Sequence, residues 1–121
     1  MLSKAADTQK DEVVIENGKV TLYEFEDINT NINSYTYYEN KNLVVDYWKL
    51  VNSYEDEYFI TIEKDNLDDL LYSLHLTNNN QVQLLLTIAE KFSGKDCFKN
   101  FKEHLEINKI KYETSVRHDD K

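Results

Sequence analysis

Proline is absent from this chain of 121 residues, glycine occurs twice and cysteine once. Each shortage closes off a class of protein. With Cys97 as the lone thiol, no disulfide can form within the chain, and a reducing compartment fits. Gly18 and Gly94 stand apart, so there is no glycine-rich loop to cradle a phosphate. No apolar run approaches the roughly 18 residues that a membrane-spanning helix needs. The first dozen residues carry Lys, Asp and Gln instead of the apolar stretch of a signal peptide, so a cytoplasmic location is expected. His75, His104 and His118 lie in different segments, with no His-x-x-x-His or Cys-x-x-Cys spacing, so neither a metal site nor a cofactor is expected.

What the chain does have is acid and tyrosine. Its formal net charge is −9, and nine of its residues are tyrosine. Residues 1–60 hold 5 basic and 12 acidic side chains, net −7; residues 61–121 hold 9 and 11, net −2. An acidic field in the first half repels nucleic-acid backbones and attracts a basic protein. The plainer explanation is solubility, which acidic surfaces also serve. At 40% hydrophobic and 31% charged, the composition suits one globular domain. The expected division is a flexible tail over 1–11, a domain over 12–116 and a polar tail over 117–121.

Periodicity outlines the elements. Asn17-Gly18 between two β-branched runs reads as a hairpin turn joining strands near 12–16 and 19–26. The asparagine-rich stretch 27–34 reads as a loop. Strands are expected over 34–39, 43–51 and 58–63, with turns at 40–42 and 52–55. In the second of these strands Val44, Trp48 and Leu50 share one alternation with Asp46, which needs a partner if buried. Asp65 suits a helix N-cap, and Leu67, Leu70, Leu71 and Leu74 make a helical stripe after it. A second helix is expected to carry Val82, Leu85, Leu86, Ala89 and Phe92, ending at Gly94 in a left-handed cap. A third carries Phe98, Phe101 and Leu105, and residues 109–116 alternate like a returning strand. Strands followed by helices imply an α+β domain: an antiparallel sheet of four to six strands with three helices packed on one face.

Catalytic pairings are poorly supported. Cys97 and His104 would share a helix face but lie two turns apart, roughly 10 Å, beyond hydrogen-bond reach. The paired acids Glu24/Glu26, Glu55–Glu57 and Asp68/Asp69 fall in expected turns or on exposed faces. No catalytic residue is therefore assigned. Tyrosine interleaved with acid in the strand half is the remaining pattern. Tyr35, Tyr37, Tyr38, Glu39, Tyr54, Glu55, Asp56 and Glu57 are the expected partner-binding residues, with tyrosines as anchors and acids as steering charges. Lysines at 91, 95, 99, 102, 109 and 111 make the third helix and its surroundings a basic counterpoint.

The segments Asp56-Glu57-Tyr58-Phe59-Ile60-Thr61-Ile62, Leu67-x-x-Leu70-Leu71-x-x-Leu74 and Asn108-Lys109-Ile110-Lys111-Tyr112-Glu113 resemble a group of small, largely uncharacterised bacterial proteins. That group has an acidic turn before a tyrosine-bearing strand, a leucine-rich helix and a closing strand. The resemblance covers residues 43 to 116. By class, in size, acidity and lack of catalytic groups, the chain is similar to cytosolic immunity proteins of bacterial toxin systems. This implies a non-enzymatic inhibitor of a basic, nuclease-type toxin domain. Two alternatives are a phage or mobile-element inhibitor that mimics nucleic acid with carboxylates, and a small hydrolase.

Overall fold

Turn chemistry folds the first half of the chain into a meander. The computed structural model describes residues 15–16, 18–77 and 80–120. Its strands are β1 (Ile15–Glu16), β2 (Lys19–Glu26), β3 (Thr30–Glu39), β4 (Asn42–Val51), β5 (Tyr54–Ile62) and β6 (Glu113–Asp120). They lie in sequence order in one antiparallel sheet. The helices α1 (Leu67–Ser73), α2 (Gln81–Phe92) and α3 (Cys97–Ile107) intervene between β5 and β6. This is the expected α+β class, with six strands.

Asn40 and Lys41 both take positive φ, 52° and 69°, and close the β3–β4 hairpin as a two-residue turn. Asn52, at φ 57°, opens the equally tight β4–β5 turn. That turn ends at Ser53, so Tyr54–Glu57, expected as a turn and acidic tip, belong to β5. The loop expected over 27–34 is likewise shorter. Asp27 Oδ1 accepts the amides of Asn29 and Thr30 at 3.0 and 2.9 Å, closing the turn within three residues. Asn31 and Asn33 then enter the β3 ladder.

Register sorts the side chains. Val20, Thr36, Val45, Ile60 and Thr114 line up across five strands on one side. With Leu22, Leu43 and Ile62, the apolar members pack against Leu67, Leu70, Leu71 and Leu74 and against the buried faces of α2 and α3 in one core. Leu22 sits at a β-bulge, where the register slips between Thr21 and Tyr23. Its carbonyl accepts the amide of Gly94 at 2.9 Å, fastening the end of α2 to the sheet.

The helices start and stop differently from expectation. Asp65 lies in a single 3-10 turn, Lys64–Asn66, and α1 begins after Asn66 with no side-chain cap. The Lys64 amide instead donates to Asn42 Oδ1 at 3.1 Å, tying the helix entry to β4. Asn80 caps α2 by accepting the Gln83 amide at 3.0 Å. The buried face of α2 is Leu84, Leu85, Ile88, Ala89 and Phe92, rotated from the expected stripe, and Val82 is exposed. Gly94 is not a left-handed cap: Ser93 is extended and Gly94 has φ 119°.

The glycine positions of two helix ends are held by other residues. His75 (φ 62°) follows α1 and Lys109 (φ 58°) follows α3. In each case the next amide reaches back across the turn, Leu76 to the Leu71 carbonyl and Ile110 to that of Leu105, both at 2.9 Å. The core contacts of Leu71, Leu76, Leu105 and Ile110 hold these Schellman ends in place. The second one delays the returning strand, so β6 begins at Glu113 and runs to Asp120, and residues 117–120, expected as a tail, form part of the sheet. The expected tail over 1–11 and strand residues 12–14 lie outside the described residues.

A left-handed conformation costs a side-chain-bearing residue about 1 kcal/mol relative to glycine. Lys109→Gly should therefore stabilise the fold by about 0.5–1 kcal/mol, read as a higher urea midpoint with unchanged slope. Equal or lower stability would show that the Lys109 side chain contributes something its exposure conceals.

Candidate functional site

All three helices lie on one side of the sheet. The buried core they form with the sheet takes no residue from the other side, and that side is populated by large side chains. It carries Lys19, Thr21, Glu24 and Glu26 from β2; Asn31, Asn33, Tyr35, Tyr37 and Glu39 from β3; Val44, Asp46, Trp48 and Leu50 from β4; Glu55, Glu57, Phe59 and Thr61 from β5; and Glu113, Ser115 and Arg117 from β6. Here the side chains must cover one another, and most of the aromatic ones are half-buried.

Asp46 is at the centre. It is 4% exposed, although no helix covers it. Its Oδ1 accepts the Tyr35 amide at 2.9 Å, taking a place that a ladder carbonyl would otherwise fill. Lys19 lies over the rings of Tyr35 and Tyr37, 5.4 and 4.9 Å from their centroids. Burial is the main cause that lifts the Asp46 carboxyl from the ordinary 3.8 to about 6. Glu57 adds repulsion, while the Tyr35 amide, Lys19 and Tyr37 oppose the shift. The Tyr37 hydroxyl is raised in turn, by burial first and then by Asp46, Glu39 and Glu57.

A second group adjoins it. Trp48 Nε1 donates to Glu55 Oε2 at 2.5 Å. Arg117 Nη2 reaches Glu57 Oε1 at 2.5 Å and Glu55 Oε2 at 3.5 Å. The two glutamates are 14% and 17% exposed, and Arg117 is 51% exposed above them. Aromatic planes, partly buried carboxylates and two cations therefore form one continuous patch.

Strand alternation divides the expected partner-binding residues. Tyr35, Tyr37, Glu39, Glu55 and Glu57 point to the uncovered face. Tyr38, Tyr54 and Asp56 point to the helix side. Tyr38 packs against the core, with its hydroxyl buried and without a hydrogen-bond partner among the described residues. Burial raises that hydroxyl to about 12. Tyr54 is exposed at the far end of β5, and Asp56 pairs with His118 Nδ1 at 2.5 Å. Tyr38, Tyr54 and Asp56 therefore do not join the patch. Trp48, Phe59, Lys19 and Arg117 do, though none was singled out from the sequence. The shared alternation of Trp48 with Asp46 was the available signal for the first.

The helix side differs in chemistry. Cys97 is fully buried and its thiol donates to Ser34 Oγ at 3.3 Å. Burial raises the thiol above its usual range. His104 bonds to Ser73 Oγ at 2.9 Å, with its ring 5.3 Å from Phe92, so the two residues have separate neighbours. Phe98 packs against Tyr47 and Tyr58 at 6.1 and 6.2 Å, flooring an open groove of about 380 Å³ rimmed by Lys95 and Lys99. Lys91, Lys102, Lys109 and Lys111 are also exposed around these helices, opposite in sign to the acids of the uncovered face.

Among the described residues no group of three or more His, Cys, Asp and Glu side chains could hold a metal ion, and no helix is long and apolar enough to cross a membrane. No family model, curated protein or solved structure matches this chain.

The raised Asp46 carboxyl has a sign that can be tested. Folding increases its affinity for a proton, so its protonated form favours the native state. Stability from this group is full below the ordinary 3.8 and is lost as pH rises through about 6. Denaturation of wild type and Asp46→Asn should show wild type losing about 1–3 kcal/mol relative to the variant between about pH 4 and pH 7. A constant difference across that range would mean that Asp46 titrates normally in the fold.

Proposed function

We propose that this chain is a non-enzymatic binding protein whose uncovered sheet face takes a basic protein partner. Its most concrete form is an immunity protein that neutralises a cognate basic, nuclease-type bacterial toxin domain. One observation carries the reading: a sheet face left bare by the helices displays Tyr35, Tyr37, Trp48 and Phe59 among partly buried acids. Aromatic side chains of this kind anchor interfaces at low entropic cost, and surrounding acids steer a cationic partner. The net charge of −9 and its concentration in the strand half act in the same direction. The likeness by class to cytosolic immunity proteins supports the toxin-directed form, and a cytoplasmic location goes with it.

In this reading the sheet face itself makes the contact. An acidic and aromatic sheet face would fit against the rim or floor of a cleft that has evolved to hold nucleic acid. Tyr37 and Trp48 would supply apolar contact area. Glu55 and Glu57, already ordered by Trp48 and Arg117, would present carboxylates with little loss of rotamer freedom on binding.

The test is co-expression with a nuclease-type toxin domain, taken from the gene next to this chain's own if that gene encodes one. Protection of the host and a stable complex are expected, and unchanged toxicity with no complex would overturn the toxin-directed form. In the complex, Trp48→Ala or Tyr37→Ala should weaken affinity tenfold or more, at about 1.4 kcal/mol per tenfold. Tyr54→Ala and Asp56→Ala, on the helix side, should change it by less than about threefold. Equal losses from both pairs would move the interface to the turn end of the sheet. The association rate should also fall by about tenfold between low and high salt, measured by stopped flow.

A further inference from the structure

The strand β6 closes one edge of the sheet, and among the described residues no strand lies along its outer side. Several features that usually blunt an edge are missing. It pairs with β5 in unbroken register over its eight residues, so it has no bulge, and the chain has no proline. Residues 113–118 are all exposed. Thr114 and Val116 point to the helix side, where Val116 is 50% exposed, so the helices do not overhang this edge. A second strand can approach it from outside.

We infer that β6 is a self-association edge: two copies of this chain pair antiparallel through β6 about a two-fold axis at Ser115. Antiparallel two-fold pairing places the axis perpendicular to the sheet, so residues facing each other across the seam point to the same side. The axis must therefore pass through a residue, and the facing pairs select which: at His118 it would set two histidines against each other and Val116 against Asp120. At Val116 it would set Glu113 against Asp119. At Arg117 it would set two arginines against each other, and at Thr114 it would set Arg117 against Lys111. At Ser115 it sets Glu113 of each copy against Arg117 of the other, on the uncovered face. It also sets Thr114 against Val116 on the helix side, covering the exposed valine. Opposite charges directly across strands stabilise pairing, and like charges oppose it.

The assembly has a functional consequence that does not depend on the identity of any partner. Both uncovered faces lie on the same side of one continuous sheet, so a dimer presents two copies of the aromatic and acidic patch side by side. A partner with paired sites would be held by both.

Sedimentation velocity from micromolar to submillimolar concentration should show a reversible dimer. Glu113→Arg, which puts like charges across both ends of the seam, should weaken it about tenfold without altering the fold. Cysteine substitution reads the register directly. Facing residues across an antiparallel seam have Cα atoms about 4.5–5.5 Å apart, within disulfide reach. Ser115→Cys should give a covalent dimer under mild oxidation, and Thr114→Cys alone should not. Thr114→Cys mixed with Val116→Cys should cross-link. A monomer at every concentration, cross-linking of Thr114→Cys as readily as Ser115→Cys, or dimerisation unchanged by Glu113→Arg would each overturn the proposal.

Discussion

A sheet with helices on only one side has to make its other side stable in water by itself, and much of this molecule follows from that constraint. On the helix side the solution is ordinary: Val20, Leu43, Val45, Ile60 and Ile62 are removed from water by leucine-rich helices. On the bare side no helix among the described residues does this. Side chains there shield one another across strands, aromatic ring over aliphatic stem and cation over ring. Val44 is 4% exposed on that face with no helix above it. So is Asp46, which is the more telling case. A carboxylate buried by its neighbours on a nominally open surface shows how tightly that surface is packed.

Asp46 also links the two sides. Its carboxylate replaces a ladder acceptor for the Tyr35 amide on the bare face. Its carbonyl accepts the Ser34 hydroxyl at 2.5 Å, and Ser34 receives the thiol of Cys97 at the first residue of α3. A short polar chain therefore runs from the bare face through the sheet to a helix. Thr36 repeats the pattern one step along, its hydroxyl bonding to the Val44 carbonyl at 3.0 Å. Leaving any of these buried polar groups unpaired would cost more than the bond itself is worth, so the chain specifies β3–β4 register as well as stabilising it.

The α+β class, the leucine stripe of α1 and the hairpin turns could be read from sequence because each rests on local periodicity or on a residue with one favoured backbone conformation. Three kinds of feature could not. Asp27 closes its turn with a side-chain oxygen, so an asparagine run that reads as loop becomes strand. The ends of α1 and α3 use His75 and Lys109 where glycine is the usual marker, which displaced the start of β6. Most importantly for function, composition showed an acidic, tyrosine-rich segment but not that alternation would send Glu55 and Glu57 one way and Tyr54, Asp56 and Tyr58 the other. A contiguous motif in sequence is two half-motifs on opposite faces of a strand. The true neighbours of Glu57 are Trp48 and Arg117, nine and sixty residues away.

Solubility alone would account for acid on a bare sheet face, but it would not account for the company the acid keeps. Threonine and lysine cover such a face at no risk, whereas tyrosine, tryptophan and phenylalanine on it invite association. Here the aromatic side chains are retained, and the acids are drawn in among them until two glutamates are mostly buried and one aspartate almost wholly so. That placement reduces what the carboxylates add to hydration and raises what they add to a directed field close to the surface. Burial of charge among half-buried aromatic side chains is costly for a face meant only to stay in solution. It is well suited to one that meets a cationic surface and excludes water from it.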